Sequence, residues 1–282
     1  MKRRAVPYFL LAPGAAWLLL FFVVPLYYMA ELSLNSGVVG QLEFSWNWDN
    51  YSEALSLYDA QFIRSFVYAG IATLVALVLA YPLAYTIAFK AGRWKYLLLF
   101  AVVAPFFTTY LIRTIAWQTI LFDQSPVTNV LDAVGLAPEG QVLATSGAVI
   151  AGLTYNFLPF MILPIYASLE RIDVRLIEAA KDLYGSAAQS FWRVTLPLSA
   201  PGVVAGTLLT FIPAVGDYVN ALFLGGVGNR MIGNVIQSLY LTQADYPAAA
   251  ALAFVLMGLI MIAVAIYIRL AGSEALMEED PR

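Results

Sequence analysis

The chain has 282 residues, of which 61% are hydrophobic and only 12% charged, and its formal net charge is −3. Soluble domains carry about 25% charged and about 45–50% apolar residues, so an apolar excess of this size points to lipid as the solvent. Cysteine and histidine are both absent, which excludes disulfides, thiolate and imidazole metal sites, Ser-His-Asp chemistry and the usual proton shuttle near neutral pH.

A membrane-crossing helix needs about 20 predominantly apolar residues. Stretches 8–32, 62–89, 96–122, 144–168, 200–224 and 248–270 meet that length, so the expected fold is all-α, a polytopic membrane protein with six transmembrane helices. The first stretch follows Lys2, Arg3 and Arg4. A cleavable signal has an apolar core of about 7–15 residues and an A-x-A-like site. Here the run extends over 8–30 with no such site after it, so it is expected to remain as a helix.

Between the first two spans, Trp46, Trp48, Tyr51 and Tyr58 read as an aromatic belt at the membrane interface. Pro105 in the third span, Pro159 and Pro164 in the fourth and Pro213 in the fifth predict kinks rather than chain breaks. Residues 123–143 form an outer loop with Asp123, Asp132 and Glu139, and residues 225–247 a second one. An apolar stretch in the second predicts a short helix on the membrane surface. Glu31 and Asp245 lie near span ends, where each is either a solvated charge or a contact for an outer partner.

Basic residues set topology. Lys2, Arg3, Arg4, Lys90, Arg93, Lys95, Arg171, Arg175, Lys181, Arg193, Arg269 and Arg282 all fall on one side of a six-span arrangement, leaving Arg64, Arg113 and Arg230. Both termini are therefore expected to be cytoplasmic. The chain divides as 1–60, a first helix and outer loop; 61–270, a five-helix core with a long loop at 169–199; and 271–282, a cytoplasmic tail.

That loop runs Glu170-Arg-Ile-Asp-Val-Arg-Leu-Ile-Glu178-Ala179-Ala180-Lys181-Asp182-Leu183-Tyr184-Gly185, then through Phe191 and Trp192 to Leu196-Pro197. Leu176, Ile177, Ala180 and Leu183 make an apolar stripe on a helix over 173–184. Gly185 offers a stop. A second short helix runs through Phe191 and Trp192, and Pro197 marks the boundary before the fifth span.

The pattern resembles the EAA loop of MetI-like, type I ABC importer permeases, whose Glu-Ala-Ala precedes a glycine and, later, an aliphatic-x-Leu-Pro. The resemblance implies that two short helices dock on a separate ATPase subunit. The residues concerned are Glu178, Ala179, Ala180, Asp182, Tyr184, Gly185, Leu196 and Pro197. Tyr184 stands where the glycine is usual and glycine follows at 185, while the spacing from Glu178 to Pro197 is unchanged, which reads as a shifted turn. Small Ala179 and Ala180 permit close helix approach, and Glu178 offers a charge to the partner. This chain has no G-x-x-x-x-G-K-[ST] loop to cradle phosphates.

Further segments resemble permeases of spermidine/putrescine importers, the PotB type. They are Pro105-Phe106-Phe107, Tyr110-Leu-Ile-Arg113-Thr-Ile-Ala-Trp117, Leu158-Pro159-Phe-Met-Ile-Leu-Pro164-Ile-Tyr166, Leu224-Gly225-Gly226, Met231-Ile-Gly-Asn234 and Tyr246-Pro247. The likeness implies a bacterial inner-membrane complex with a second permease of PotC type, two ATPase subunits and an external substrate-binding protein. ATP and Mg2+ would sit on the ATPase. No cofactor, catalytic residue, metal site or nucleic-acid partner is implied for this chain. Permeases for iron, sulfate, phosphonate and thiamine share parts of the pattern. A secondary transporter would need an ion relay, and histidine is missing while acidic residues within the spans are nearly limited to Asp217.

Ionisable groups inside a membrane are costly and usually functional. Asp217 is the candidate to attract a cationic substrate, with Tyr218, Tyr110, Trp117 or Tyr155 supplying aromatic faces and Asn156 and Asn220 supplying hydrogen bonds. The alternative role for Asp217 is structural, as an ion pair with Arg113 or with a neighbouring subunit.

Overall fold

The computed structural model describes residues 6–37, 40–133, 135, 141–184 and 186–271, and the side chains of 6–9 and Tyr184 are not part of that description. Lys2, Arg3, Arg4, Glu139, Gly185 and Arg282 lie outside the described residues.

In chain order the elements are α1 (Val6–Leu18), a π-turn (Leu19–Val23), α2 (Val24–Ser33), β1 (Asn35–Ser36), β2 (Glu43–Phe44), α3 (Asp49–Leu57), α4 (Asp59–Phe89) and a 3-10 turn (Gly92–Trp94). They continue with α5 (Lys95–Val103), a 3-10 turn (Ala104–Phe107), α6 (Tyr110–Ile120), α7 (Pro126–Ala133), α8 (Ser146–Glu170), α9 (Val174–Tyr184), α10 (Ala187–Ser190) and a π-turn (Phe191–Thr195). Last come α11 (Leu196–Val215), α12 (Val219–Leu224), a 3-10 turn (Val227–Asn229), α13 (Ile232–Ser238), a π-turn (Leu239–Gln243) and α14 (Tyr246–Ala271). Among the described residues, five helical stretches are long and apolar enough to cross a membrane, and a sixth forms when the bent pair Gly92–Phe107 and Tyr110–Ile120 is taken as one span. Among the same residues, all-α holds except for the two-residue antiparallel ladder of β1 and β2.

The expected third span is not one helix. Its halves meet at 94°. The bend follows Pro105, which lacks an N–H and opens the 3-10 turn, after which Thr108 and Thr109 take extended backbone. The expected fifth span also breaks. α11 stops at Val215, two residues past Pro213, and the chain restarts as α12 at Val219. Pro105 and Pro213 thus precede full breaks rather than kinks, whereas Pro159 and Pro164 are carried inside an uninterrupted α8.

The chain forms two compact units, one of residues up to Asp59 with Val235–Gly258, the other of Ala60–Asn234 with the residues from Leu259 on. In the first, the Leu10–Ser33 stretch has no buried side chain in its apolar window, the state of a helix surrounded by lipid or a partner. Ser33 and Tyr51 share a hydroxyl–hydroxyl bond of 2.6 Å, and Asn50 Nδ2 donates to the carbonyls of Ser33 (2.9 Å) and Asn35 (3.0 Å), pinning α3 beneath the ladder. Asp245 caps α14 by accepting from the Ala248 N–H at 3.2 Å, which gives it a structural role.

The second unit inverts the soluble-protein rule. On α4 the buried side chains are mainly small, Ala69, Ala72, Thr73, Ala76, Ala80 and Ala84, while Ile63, Leu74, Val78 and Leu79 face outward. Lipid solvates large apolar groups as well as a core does, so small residues mark where helices must approach. The tightest approach is α8 on α11. A Cβ on Gly202 would stand 2.5 Å from the Pro164 carbonyl and 2.6 Å from Ser168 Oγ, and one on Gly206 3.0 Å from the Met161 carbonyl. Gly202 and Gly206 form a Gly-x-x-x-Gly pair, the spacing that lets membrane helices touch backbone to backbone. Behind this seam Ile87, Met161, Ile162, Ile165 and Leu169 are fully buried.

Candidate functional site

Two sites emerge in the larger unit. The first is the basic loop. α9 follows the expected helix over 173–184 closely, but only half its apolar stripe turns inward. Ile177 and Ala180 are buried, while Leu176 is 53% and Leu183 77% exposed. Of the two small residues expected to allow close approach, Ala180 does so within the chain and Ala179 faces out, as do Glu178 and Asp182. Ser190 Oγ donates to the Ile177 carbonyl at 3.4 Å, joining α9 to α10. Ser186 caps α10 by accepting from the Gln189 N–H at 3.2 Å. Of the shifted turn, only the end of α9 at Tyr184 is described.

The expected boundary at Pro197 does not exist. Ala187–Val215 runs as one 29-residue helix. Pro197 sits at its α11 start, where a missing N–H is tolerated because the preceding π-turn has already shifted the bonding register. Leu196 and Pro197 therefore lie within a continuous rod rather than at its end. The contacts that hold this rod carry no signal in the sequence. Phe191 packs edge-on against Tyr81 (5.6 Å between centroids) and Tyr85 (6.0 Å) of α4, and Tyr81 shares a hydroxyl bond of 2.7 Å with Ser199. Lys95 forms an ion pair of 2.5 Å with Glu170, tying the start of α5 to the end of α8 just before the loop.

The second site lies at the two broken spans. The break after α11 puts Asp217 in a buried position. Its Oδ1 accepts from the Asn220 N–H at 2.8 Å and its Oδ2 accepts from the Tyr110 hydroxyl. The Tyr110 oxygen in turn accepts from Asn220 Nδ2 at 2.5 Å. Asn220 Oδ1 accepts from Asn156 Nδ2 (3.1 Å), which also donates to Thr114 Oγ1 (3.3 Å), and Thr114 donates back to the Tyr110 carbonyl (3.2 Å). Gly152 makes room for this packing, because a Cβ there would stand 2.7 Å from Asn220 Oδ1. Tyr110, Asn156, Asn220 and Asp217, picked out one by one from the sequence, thus form one network across α6, α8 and α12. Thr114 completes it and was not expected.

Arg113 is beside the network and not in it. The structural alternative, an Asp217–Arg113 ion pair, is not formed, because Tyr110 and Asn220 occupy both carboxylate oxygens. The guanidinium instead lies over the Phe106 ring, 4.4 Å from its centroid, and 5.7 Å from that of Tyr110. Arg113 also lines a cavity of about 300 Å³ with Leu98, Pro105, Phe106, Tyr155 and Leu158. Trp117 and Tyr155 stack edge-on at 5.3 Å, separately from the carboxylate. Tyr218 leaves its ring 43% exposed and contributes only its carbonyl, which accepts from Asn234 Nδ2 at 2.7 Å.

That last bond belongs to the brace that holds the break open. Asn234 Oδ1 accepts from the Met231 N–H (3.0 Å), the Ile232 N–H donates to Ser65 Oγ (2.8 Å), and Gly233 sits directly on the break: a Cβ there would stand 2.5 Å from the Gly216 carbonyl. Arg64 donates to the Arg230 carbonyl at 2.9 Å. The Met231-Ile-Gly-Asn234 segment therefore supports the unwound turn that carries Asp217. Gly233→Val is expected to displace that turn and to cut transport together with membrane level, a joint loss that uptake assays and immunoblots of the same membranes would reveal.

A family model described as the inner membrane component of binding-protein-dependent transport systems matches residues 4–272. The spermidine/putrescine transport system permease protein PotB of Haemophilus influenzae is 37% identical over 257 residues, covering 90% of each chain. That of Escherichia coli is 36% identical over 252 residues, covering 87% of this chain and 92% of the relative. Among solved structures, a bacterial ABC transporter that imports the acidic polysaccharide alginate aligns with a TM-score of 0.68 at 19% identity, covering 96% of each chain. The inward-facing MetNI methionine ABC transporter aligns with a TM-score of 0.56 at 18% identity, covering 77% of this chain and 97% of the other.

Proposed function

From the premise that this chain belongs to the family of inner membrane components of binding-protein-dependent transport systems, we propose that it forms half of the translocation pathway of an ATP-driven importer of polyamines such as spermidine and putrescine. The likeness to the PotB permeases supports the substrate class. The observation that carries the reading is Asp217, a buried carboxylate at a helix break, whose hydrogen-bond partners are neutral. A buried anion without a counter-cation is costly, and an ammonium group supplies the missing charge. Tyr110, Asn156 and Asn220 orient the carboxylate. Exposed Tyr218 and, further along, the half-buried, mutually stacked Trp117 and Tyr155 supply aromatic surface for a cationic chain.

On this reading the basic loops and both termini face the cytoplasm. Glu178, Ala179, Asp182, Leu176 and Leu183 present an exposed face to an ATPase subunit, which holds the ATP and Mg2+. Tyr184 closes α9 and, with Gly185, belongs to the docking element of the family's loop, and Leu196 and Pro197 lie in the part of the Ala187–Val215 rod that carries motion to Asp217. A second, PotC-type permease completes the pathway, and an external binding protein delivers substrate. This chain is the non-catalytic membrane subunit.

The test is ATP-dependent uptake of labelled spermidine into proteoliposomes holding this chain, its partner permease and the ATPase, with the binding protein outside. Wild-type uptake is expected to be competed by putrescine and not by sulfate or iron. A hydrogen bond to a charged group contributes about 1.5–3 kcal/mol, so Asp217→Asn is expected to lower uptake by about tenfold or more. Uptake unchanged in Asp217→Asn would remove the carboxylate from the pathway.

A further inference from the structure

Arg113 is left over by this reading, and its state is unusual. It is 92% buried, being only 8% exposed, yet its Nε and Nη1 have no hydrogen-bond acceptor. Two buried, unpaired guanidinium nitrogens lose more hydration than the faces of two rings return. The Phe106 and Tyr110 contacts therefore do not explain why a guanidinium is retained here. The carboxylate nearest along the network is Asp217, and a single residue separates the two charges. Tyr110 holds Asp217 through its hydroxyl and lies beside the Arg113 guanidinium with its ring. Arg113 sits one helical turn after Tyr110 on α6, on the same face. A cavity of about 300 Å³ lies beside Arg113, lined mainly by apolar side chains, so the guanidinium is not packed tight on that side.

Both charges also sit next to hinges. α6 begins immediately after the 94° bend of the third span, and Asp217 occupies the break of the fifth. Withdrawing the Tyr110 hydroxyl would free the Asp217 oxygen that it now occupies.

We propose that Arg113 is the internal cation that takes over Asp217 as substrate leaves, so that the guanidinium displaces the ammonium group and drives release. The proposal rests on Asp217 as the cation-holding group. Arg113 acts through Asp217 and is a positioning residue for release. The two positive groups compete for one carboxylate. Substrate therefore holds Arg113 off in one state, and Arg113 expels substrate in the other.

The test uses the assembled transporter in nanodiscs and in proteoliposomes. Two quantities are measured, labelled spermidine retained by the complex after the binding protein is washed away and maximal uptake rate. Removing a competitor should strengthen retention while slowing turnover. Coupling between sites typically amounts to about 5–150-fold, so Arg113→Gln is expected to raise retention about fivefold or more and to lower maximal uptake. Arg113→Lys, which keeps a cation, should restore both toward wild type. A merely structural Arg113 would lower the two together, and that result, or no change in either, overturns the proposal. Should Arg113→Gln fail to reach the membrane, the Arg113→Gln/Asp217→Asn double variant decides. Recovery of membrane level shows that the two charges compensate one another, and continued loss refutes it. Asp217→Asn alone separates the two readings. If its retention equals wild type, Asp217 is not the cation site. If retention is lost there but not gained in Arg113→Gln, only the release role falls.

Discussion

Glu178→Arg is expected to abolish ATP-driven uptake while the chain remains inserted at its normal level. Glu178 points away from the protein on α9, so reversing its charge disturbs no internal contact. Leu176 and Leu183, together on the opposite flank of the same helix, are apolar side chains left exposed on a loop rich in basic residues. Exposed apolar groups that are rimmed by charge mark a protein contact. A carboxylate on the same docking helix is hydrogen-bonded or paired when the partner covers it, and reversing it then costs about 2–5 kcal/mol or more, roughly thirtyfold or greater in docking strength. The measurement is paired, with spermidine uptake and ATPase stimulation by loaded binding protein read in the same proteoliposomes. Both should collapse in Glu178→Arg, while membrane level and the basal ATPase of the separate subunit stay normal. Full uptake by this variant would detach α9 from the coupling role. Ala180→Leu should fail differently. Ala180 is buried within the chain, so the larger side chain would disorder the loop itself.

These contrasts show what was legible in advance. Span positions were, because hydropathy over about 20 residues is a strong signal. The α9 helix was, because its period and its flanking glycine agree. Asp217, Tyr110, Asn156 and Asn220 stood out because a polar side chain in a lipid-length segment is expensive and needs a reason. Their convergence was not legible, since it depends on two breaks. Thr108-Thr109 and Gly216-Asp217-Tyr218 interrupt helices within stretches whose hydropathy continues on both sides, so composition sees one span where the backbone makes two segments. The prolines marked the vicinity. Whether a proline kinks or ends a helix depends on what meets the interrupted backbone, and at the break after Pro213 that is the Met231–Asn234 brace, remote in sequence. Pro197 failed as a boundary for the converse reason, because the π-turn before it has already shifted the bonding register and its missing donor breaks nothing. The inward and outward assignments of Ala179 and Ala180 needed the position of α10, which periodicity does not supply. The Gly202-x-x-x-Gly206 pair, by contrast, was written in the sequence in plain form.

That pair carries the prediction with the largest structural effect. Gly202→Leu is expected to eliminate folded protein from the membrane. In water, helix association is driven by hiding apolar surface. In lipid that drive is absent, and close packing of backbones, with the contacts and polar bonds it permits, has to replace it. α8 and α11 meet where Gly202 faces Pro164 and Ser168 and Gly206 faces Met161. A Cβ at 202 would stand 2.5 Å from a backbone carbonyl. That oxygen belongs to a helix interior and cannot step aside as a flexible side chain would, so the helices must separate along the seam. Ordinary overpacking costs about 1–3 kcal/mol, and a clash against backbone falls at or above the top of that range. Separation would also loosen both sites at once. The rod that begins in the basic loop is α11 itself, and Asn156 of α8 reaches the Asp217 network only while the two helices touch. Gly206→Ala, whose Cβ meets Met161 Sδ at 2.9 Å and its carbonyl at 3.0 Å, should be milder, because the thioether can rotate away. Membrane level and thermal stability in detergent are therefore expected to rank wild type first, Gly206→Ala next and Gly202→Leu last. Normal stability in Gly202→Leu would mean that the α8–α11 seam is not what holds the larger unit together.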